Sequence, residues 1–232
     1  MGSFNLTQPL QQVLQKKFSN TVMVEYQTKA NLGETSFSDY ENQVRGEIKK
    51  YPHVVLVGHS MGGLLAERLL NEPQVMGAVL MAPSPAVNLR TSLSASQTLK
   101  FLPYLPQFAY AYYFHKPMHY PNRLTRSALF TGLPEDQAEA YIKKMSPESG
   151  LVWGDIFLGK SLVVSSTTKP VFCMFGALDK NLSPEAQQKV TGFYKATAKI
   201  YPSHHFFYLG HEAEVAKDIS AWLSTSGISE HY

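Results

Sequence analysis

The chain has 232 residues, 44% of them hydrophobic, and a formal net charge of +3. That length suits one domain with enough core to fold unaided. Basic residues are scattered and the pairs Lys49-Lys50 and Lys143-Lys144 stand isolated, a pattern of solvated helix faces that argues against a nucleic-acid partner.

Residues Leu6 to Phe18 read as an amphipathic helix, with Leu10, Val13, Leu14 and Phe18 in one stripe and Pro9 in the first turn. Val22 to Tyr26 reads as a short strand and Thr28 to Ser38 as a polar loop. Asp39 to Lys50 is a second helix with Tyr40, Val44 and Ile48 on one side. Val54 to Val57 is a short buried strand, followed by a glycine-rich turn and the helical run LLAERLL. Val75 to Ala82 is another apolar strand, stopped by Pro83 and Pro85. From residue 88 to about 165 the pattern changes to helical pieces broken by prolines and rich in aromatics, including FLPYLPQFAYAYYF. Pro134 to Met145 is a charged helix within it. Strand–helix alternation resumes with Pro170 to Phe175, Pro184 to Tyr194, Ala198 to Tyr201 and Glu212 to Leu223, and the polar tail after Ser224 is expected to fray.

Strands alternating with helices predict an α/β fold with a mostly parallel sheet. Residues 1–87 and 166–232 form the expected core, and residues 88–165 a helical cap inserted in it. Cys173 is the single cysteine, which excludes an internal disulfide and points to a reducing, cytoplasmic compartment. Its apolar surroundings suggest a buried small residue. No stretch is long and apolar enough to span a membrane, and the start shows no charged-then-apolar signal pattern.

The turn after the first core strand is the most informative stretch. Gly58-His59-Ser60-Met61-Gly62 fits G-x-S-x-G between a strand and a helix, the context in which a sharp turn exposes a serine hydroxyl. Gly58 and Gly62 are expected to leave room for close backbone approach. The Met61 amide would sit at the tip of the next helix, where negative charge is favoured. A nucleophilic serine needs a base and the base an orienting carboxylate. Asp179 lies in the loop after VFCMFG, at the carboxyl end of a strand, where active-site residues gather. His204, His205 and His211 all follow the last strand and are the candidate bases.

At these residues the chain resembles the α/β-hydrolase superfamily, in particular its capped serine esterase and monoacyl-lipid hydrolase branch. GHSMGG carries the likeness, followed by Gly176, Asp179 and Pro184 as G-x-x-D-x-x-x-x-P, then a histidine ahead of a VAxDIxxWL helix. The resemblance implies a histidine about eleven residues before the alanine of that helix. This selects His205 against Ala216, while His204 stands where a small residue is usual. It implies the triad Ser60, Asp179 and His205, with no cofactor and no metal. It also implies three strands before the first helix seen here, the third leading into a loop that donates an oxyanion-hole amide. The chain starts after that point, so only Gly2-Ser3-Phe4 stand in for the loop, and the sheet is expected to show a gap or a re-pairing.

The expected activity is hydrolysis of carboxylic esters with an apolar acyl or aryl group, including monoacyl lipids. The alternative is a catalytically impaired relative that binds partners through its apolar pocket or an open sheet edge, with self-association through that edge.

Overall fold

The computed structural model describes residues 4–18, 20–91, 99, 101–159 and 161–228. Gly2 and Ser3, invoked above as a second oxyanion donor, and the last residues of the tail lie outside the described residues.

Four parallel strands form the central sheet in the order β1-β2-β5-β6: β1 (Val54–His59), β2 (Val75–Met81), β5 (Val171–Gly176) and β6 (Thr197–Tyr201). Helices α1 (Phe4–Lys17), α2 (Phe37–Ile48), α3 (Met61–Leu69), α8 (Pro184–Tyr194) and α9 (Glu212–Thr225) flank it. Side chains alternate across each strand. Ala78, Leu80, Cys173 and Phe175 therefore enter one core, with residues of α2, α3 and α8. Val79, Met81, Phe172 and Met174 enter the other, with residues of α1 and α9. The sheet is thus covered on both faces, as parallel sheets require.

β2 and β5 are neighbours in the sheet, yet residues 82–170 lie between them in sequence. That stretch holds α4 (Leu105–Tyr113), α5 (Asn122–Leu129), α6 (Glu135–Ile142) and α7 (Gly150–Phe157). A two-stranded antiparallel pair also lies there, β3 (Pro117–Met118) with β4 (Glu148–Ser149). Aromatic rings join its helices: Phe108 of α4 meets Trp153 of α7 at 6.5 Å, and Tyr120 meets the same Trp153 at 4.9 Å.

Three local expectations are corrected. Val22 to Tyr26 forms no strand. Val24 and Tyr26 pack on the α2 side of the core, with the Tyr26 ring 4.8 Å from Tyr40. Backbone polar groups need partners, and here a side chain supplies them: Gln27 N–H donates to Gln43 Oε1 and Gln43 Nε2 donates to the Gln27 carbonyl, both at 2.7 Å. Among the described residues no ladder forms along this segment. Second, α2 begins at Phe37, two residues early, because Ser36 and Asp39 cap it reciprocally. Third, α1 begins at Phe4, so Pro9 sits inside the helix rather than in its first turn. The α1 stripe is as expected: Leu10 and Leu14 are buried together with Leu6, and Val13 and Phe18 pack beside them.

Among the described residues no strand pairs with the outer edge of β1. Val57 on that edge strand is 44% exposed, whereas every residue of β5 is buried. Val22, Val24 and Tyr26 on one side and Val55 and Val57 on the other line one cavity of about 1410 Å³. Among the described residues the two segments do not pair, and the sheet ends at β1.

Candidate active site

β1 ends in the turn that carries Ser60. Ser60 has φ 53° and ψ −117°, a conformation that costs a side-chain-bearing residue about 1–3 kcal/mol and lifts it out of the regular backbone path. Neighbouring segments hold that strain in place. Ser60 N–H donates to the Met81 carbonyl at 3.0 Å, and the Ser60 carbonyl accepts from Gly63 and Ser84, each at 2.9 Å. The Ser84 bond, which ties the exit of β2 to the turn, has no sequence signal beyond its place at the carboxyl end of a strand.

The glycines divide differently from expectation. A Cβ on Gly58 would stand 2.1 Å from the Gly62 carbonyl oxygen, so Gly58 permits the close approach. A Cβ on Gly62 would meet nothing within 4 Å. The second tight position is Gly63, where a Cβ would fall 2.7 Å from Pro83 Cβ. Gly62 lines the cavity instead of packing on a neighbour. Met61 is the first residue of α3, so its N–H has no intrahelical acceptor and lies at the positive end of the helix dipole.

Asp179 follows β5 and His205 follows β6, so the side chains converge from the carboxyl ends of neighbouring strands. His205 Nδ1 lies 2.7 Å from Asp179 Oδ2, with both side chains buried. The other carboxylate oxygen, Oδ1, accepts from the backbone of Asn181 at 2.8 Å and Leu182 at 3.1 Å. The carboxylate is thereby held at both ends. With Nδ1–H donated to Asp179, the remaining nitrogen of a neutral His205 is an acceptor. Ser60 and His205 line the same cavity.

The other two candidate bases lie elsewhere. His204 is buried, packs on Phe130 at 5.5 Å, and its Nδ1 accepts from the Phe206 backbone. Burial, then the neighbouring His205, lower its pKa to about 4. His211 is exposed at the start of α9, 3.6 Å from Glu214.

His59 has a contact that the motif alone did not reveal. Its Nε2–H donates to the His205 carbonyl at 3.1 Å, since a carbonyl can only accept. The ring packs 4.8 Å from His205 and 4.9 Å from Phe206. Burial, reinforced by His205, holds the His59 pKa well below the usual range, so the ring is neutral. Its Nδ1 has no partner. The residue before the serine thus bonds to the backbone of the residue whose ring meets Asp179.

No cluster of three or more metal-ligating side chains occurs among the described residues. No helix among them is long and apolar enough to cross a membrane. Cys173 is a buried free thiol, and burial pushes its pKa up to about 12.

Comparison with known proteins gives the site its context. No curated protein matches the chain. Among solved structures, it is similar to an extracellular α/β-hydrolase from a Paenibacillus species described as sharing homology with tobacco salicylic acid binding protein 2. That match has TM-score 0.63 and 15% identity, and covers 90% of each chain. It is similar to polyneuridine aldehyde esterase in its H244A mutant form, with TM-score 0.58, 20% identity, and 91% and 92% of the two chains covered. A monoacylglycerol lipase of Paleococcus ferrophilus matches with TM-score 0.57 and 19% identity, over 84% of this chain and 77% of that one. The model of the alpha/beta hydrolase family matches residues 27–218. The stretch includes Ser60, Asp179 and His205, and the chain belongs to the alpha/beta hydrolase family.

Proposed function

We propose that the protein hydrolyses carboxylic esters through an acyl-enzyme formed on Ser60. The observation that carries this reading is the buried 2.7 Å contact between His205 Nδ1 and Asp179 Oδ2, which opens onto the cavity that holds the strained Ser60 turn. Ser60 Oγ attacks the ester carbonyl carbon while His205 Nε2 takes the hydroxyl proton. The Met61 amide stabilises the oxyanion. Collapse of the tetrahedral species expels the alcohol, which receives the proton from His205. Water, activated by the same nitrogen, then releases the acid and restores Ser60. Asp179 keeps the proton on Nδ1 and stabilises the imidazolium that forms.

Residues 88–165 act as a cap over the site. Met118, Tyr120, Trp153 and Phe157 from this stretch line the cavity, which favours an apolar acyl or aryl group. The esterase and the monoacylglycerol lipase named above support an ester as the reacting group. The open outer edge of β1 favours a second reading, in which the chain binds a partner and catalyses weakly.

Turnover of p-nitrophenyl butyrate separates the readings. Ser60→Ala and His205→Ala should each lower kcat by about 10³-fold or more, Ser60→Ala with little change in melting and His205→Ala with some loss of stability from the unpaired Asp179. His204→Ala should stay within about tenfold of the parent, as expected for a residue that does not act on substrate. Activity retained in Ser60→Ala would refute the ester-hydrolase mechanism, and loss in His204→Ala with retention in His205→Ala would reassign the base.

A further inference from the structure

We propose that the outward face of α4, together with the end of α7, docks the protein on an anionic lipid surface. A surface helix ordinarily turns a polar face to water. Helix α4 does not. Its inner side chains Phe108, Ala111 and Tyr112 pack inward, Tyr112 so tightly that a Cβ on Gly154 of α7 would fall 1.9 Å from its ring. Its outer side carries Leu105, Pro106, Tyr110 and Tyr113, continued by Phe114, with Gln107 the polar exception. Tyr113 is 74% exposed and Phe114 63%. Leu102, just before α4, and Leu158, at the end of α7, are more than half exposed as well. Single exposed apolar residues need no explanation, but a run on one face does. Tyrosine suits a bilayer interface because its ring can enter the apolar boundary while its hydroxyl stays wet.

Charge selects the partner. Between Glu72 and Glu135 the sequence has no Asp or Glu, but it has Arg90, Lys100, Lys116, Arg123 and Arg126. Taking those five from 21 basic residues leaves 16 against 18 acidic ones, so the positive excess of the whole chain resides in this stretch. Lys116 is exposed two residues after Phe114. The Arg90 guanidinium sits on the carbonyls of Ile156, Phe157 and Gly159, beside the exposed end of α7. Of the nearby carboxylates, Asp155 accepts from the Phe37 backbone and Glu148 from the Tyr40 hydroxyl, while exposed Glu135 pairs with Arg126, which leaves Lys116 and Arg90 as the cations beside the face. A second copy of this face would bring like charges together, whereas anionic headgroups complement it. Phe157 is 41% exposed and also lines the cavity, so the face is continuous with the candidate site.

Co-flotation with lipid vesicles tests this and needs no catalysis, so its outcome is separate from that of the ester assay. The protein should float with vesicles of phosphatidylcholine containing about one-third phosphatidylglycerol, and about tenfold less with phosphatidylcholine alone or in high salt. The double variant Tyr113→Ser, Phe114→Ser should lose about tenfold in vesicle partitioning. Its melting temperature and its turnover of soluble p-nitrophenyl butyrate should match the parent. Ile200→Ser, an exposed position on β6 at the far edge of the sheet, should leave partitioning unchanged. Failure to float, equal flotation with neutral vesicles, or an unaffected double variant would overturn the proposal. A dimer by light scattering that the double variant dissolves, without vesicle binding, would assign the face to a second copy and overturn it too.

Discussion

β1 and β5 are parallel strands of one sheet, and each delivers a candidate catalytic residue from its carboxyl end, yet their surroundings differ. β5 pairs on both sides and all six of its residues are buried. β1 pairs on one side, and only Gly58 of its six residues is fully buried. The β5 side is therefore held by packing, and Asp179 is fixed there by three contacts from Asn181, Leu182 and His205. The β1 side is held by hydrogen bonds to Met81 and Ser84 and by the fit of Gly58 against Gly62. Position in the sheet, not strand type, decides how each half of a catalytic site is supported.

Substitutions should separate the two halves. The largest contrast is expected between Phe175→Ala and Val57→Ala. The first empties a fully buried site in β5 and should cost about 3–5 kcal/mol. The second trims a half-exposed edge residue and should cost less than about 1 kcal/mol by urea denaturation. Comparable losses at both would show that β1 is as well packed as β5.

Next in size is a pH effect at the helix that follows β1. Glu67 of α3 is buried, and burial raises its pKa from 4.5 to about 8, against a smaller lowering by the neighbouring Tyr194 hydroxyl. The folded state therefore holds a proton there that the unfolded state releases. Below about pH 4.5 the group has no effect. Stability falls as pH rises from about 4.5 through about 8, and the penalty is complete above that. Glu67→Gln should remove on the order of 3 kcal/mol of this alkaline loss, read as a melting difference between pH 5 and pH 9 that shrinks in the variant. An unchanged pH dependence would place the carboxyl in a solvated setting.

The glycines of the turn give a smaller contrast. Gly58→Ala should destabilise by about 2 kcal/mol, because its Cβ meets the Gly62 carbonyl, and should also misplace Ser60. Gly62→Ala, facing open space, should change stability by less than about 0.5 kcal/mol. The finest test is hydrogen exchange along β1. Ser60 N–H points toward β2, so by alternation those of Val57 and Val55 point outward. They should exchange faster than the amides of Cys173 and Phe175, and equal protection would reveal a partner on the β1 edge.

The residues from which these contrasts arise were unevenly legible in the sequence. Ser60 was legible because an apolar strand, a tight turn and a helix each leave a pattern, and all three meet there. The α/β class and the alternation of the second half followed from periodicity alone. Asp179 followed from its place after a strand. His204 and His205 could not be separated by local pattern, since adjacent residues share their surroundings in sequence. The spacing implied by the family resemblance, about eleven residues before Ala216, selected His205, and the fold turns His204 toward Phe130 and His205 toward Asp179. Val22 to Tyr26 has the apolar and aromatic composition of a strand, but a strand also needs a neighbour, which no local pattern supplies. Gly62 and Gly63 look alike in sequence, and Pro83 from another loop decides which is tight. The bond from His59 to the His205 carbonyl spans 146 residues and leaves no trace in either segment.

The claim that Ser60 is the nucleophile is tested most directly by a fluorophosphonate probe, read by intact mass and peptide mapping. The parent protein should take up one phosphonyl group, on the peptide that contains Ser60. Ser60→Ala should take up none, and His205→Ala should label far more slowly while still folded at the labelling temperature. Labelling of Ser60→Ala equal to the parent, or a sole adduct at another residue, would contradict the catalytic reading of the turn.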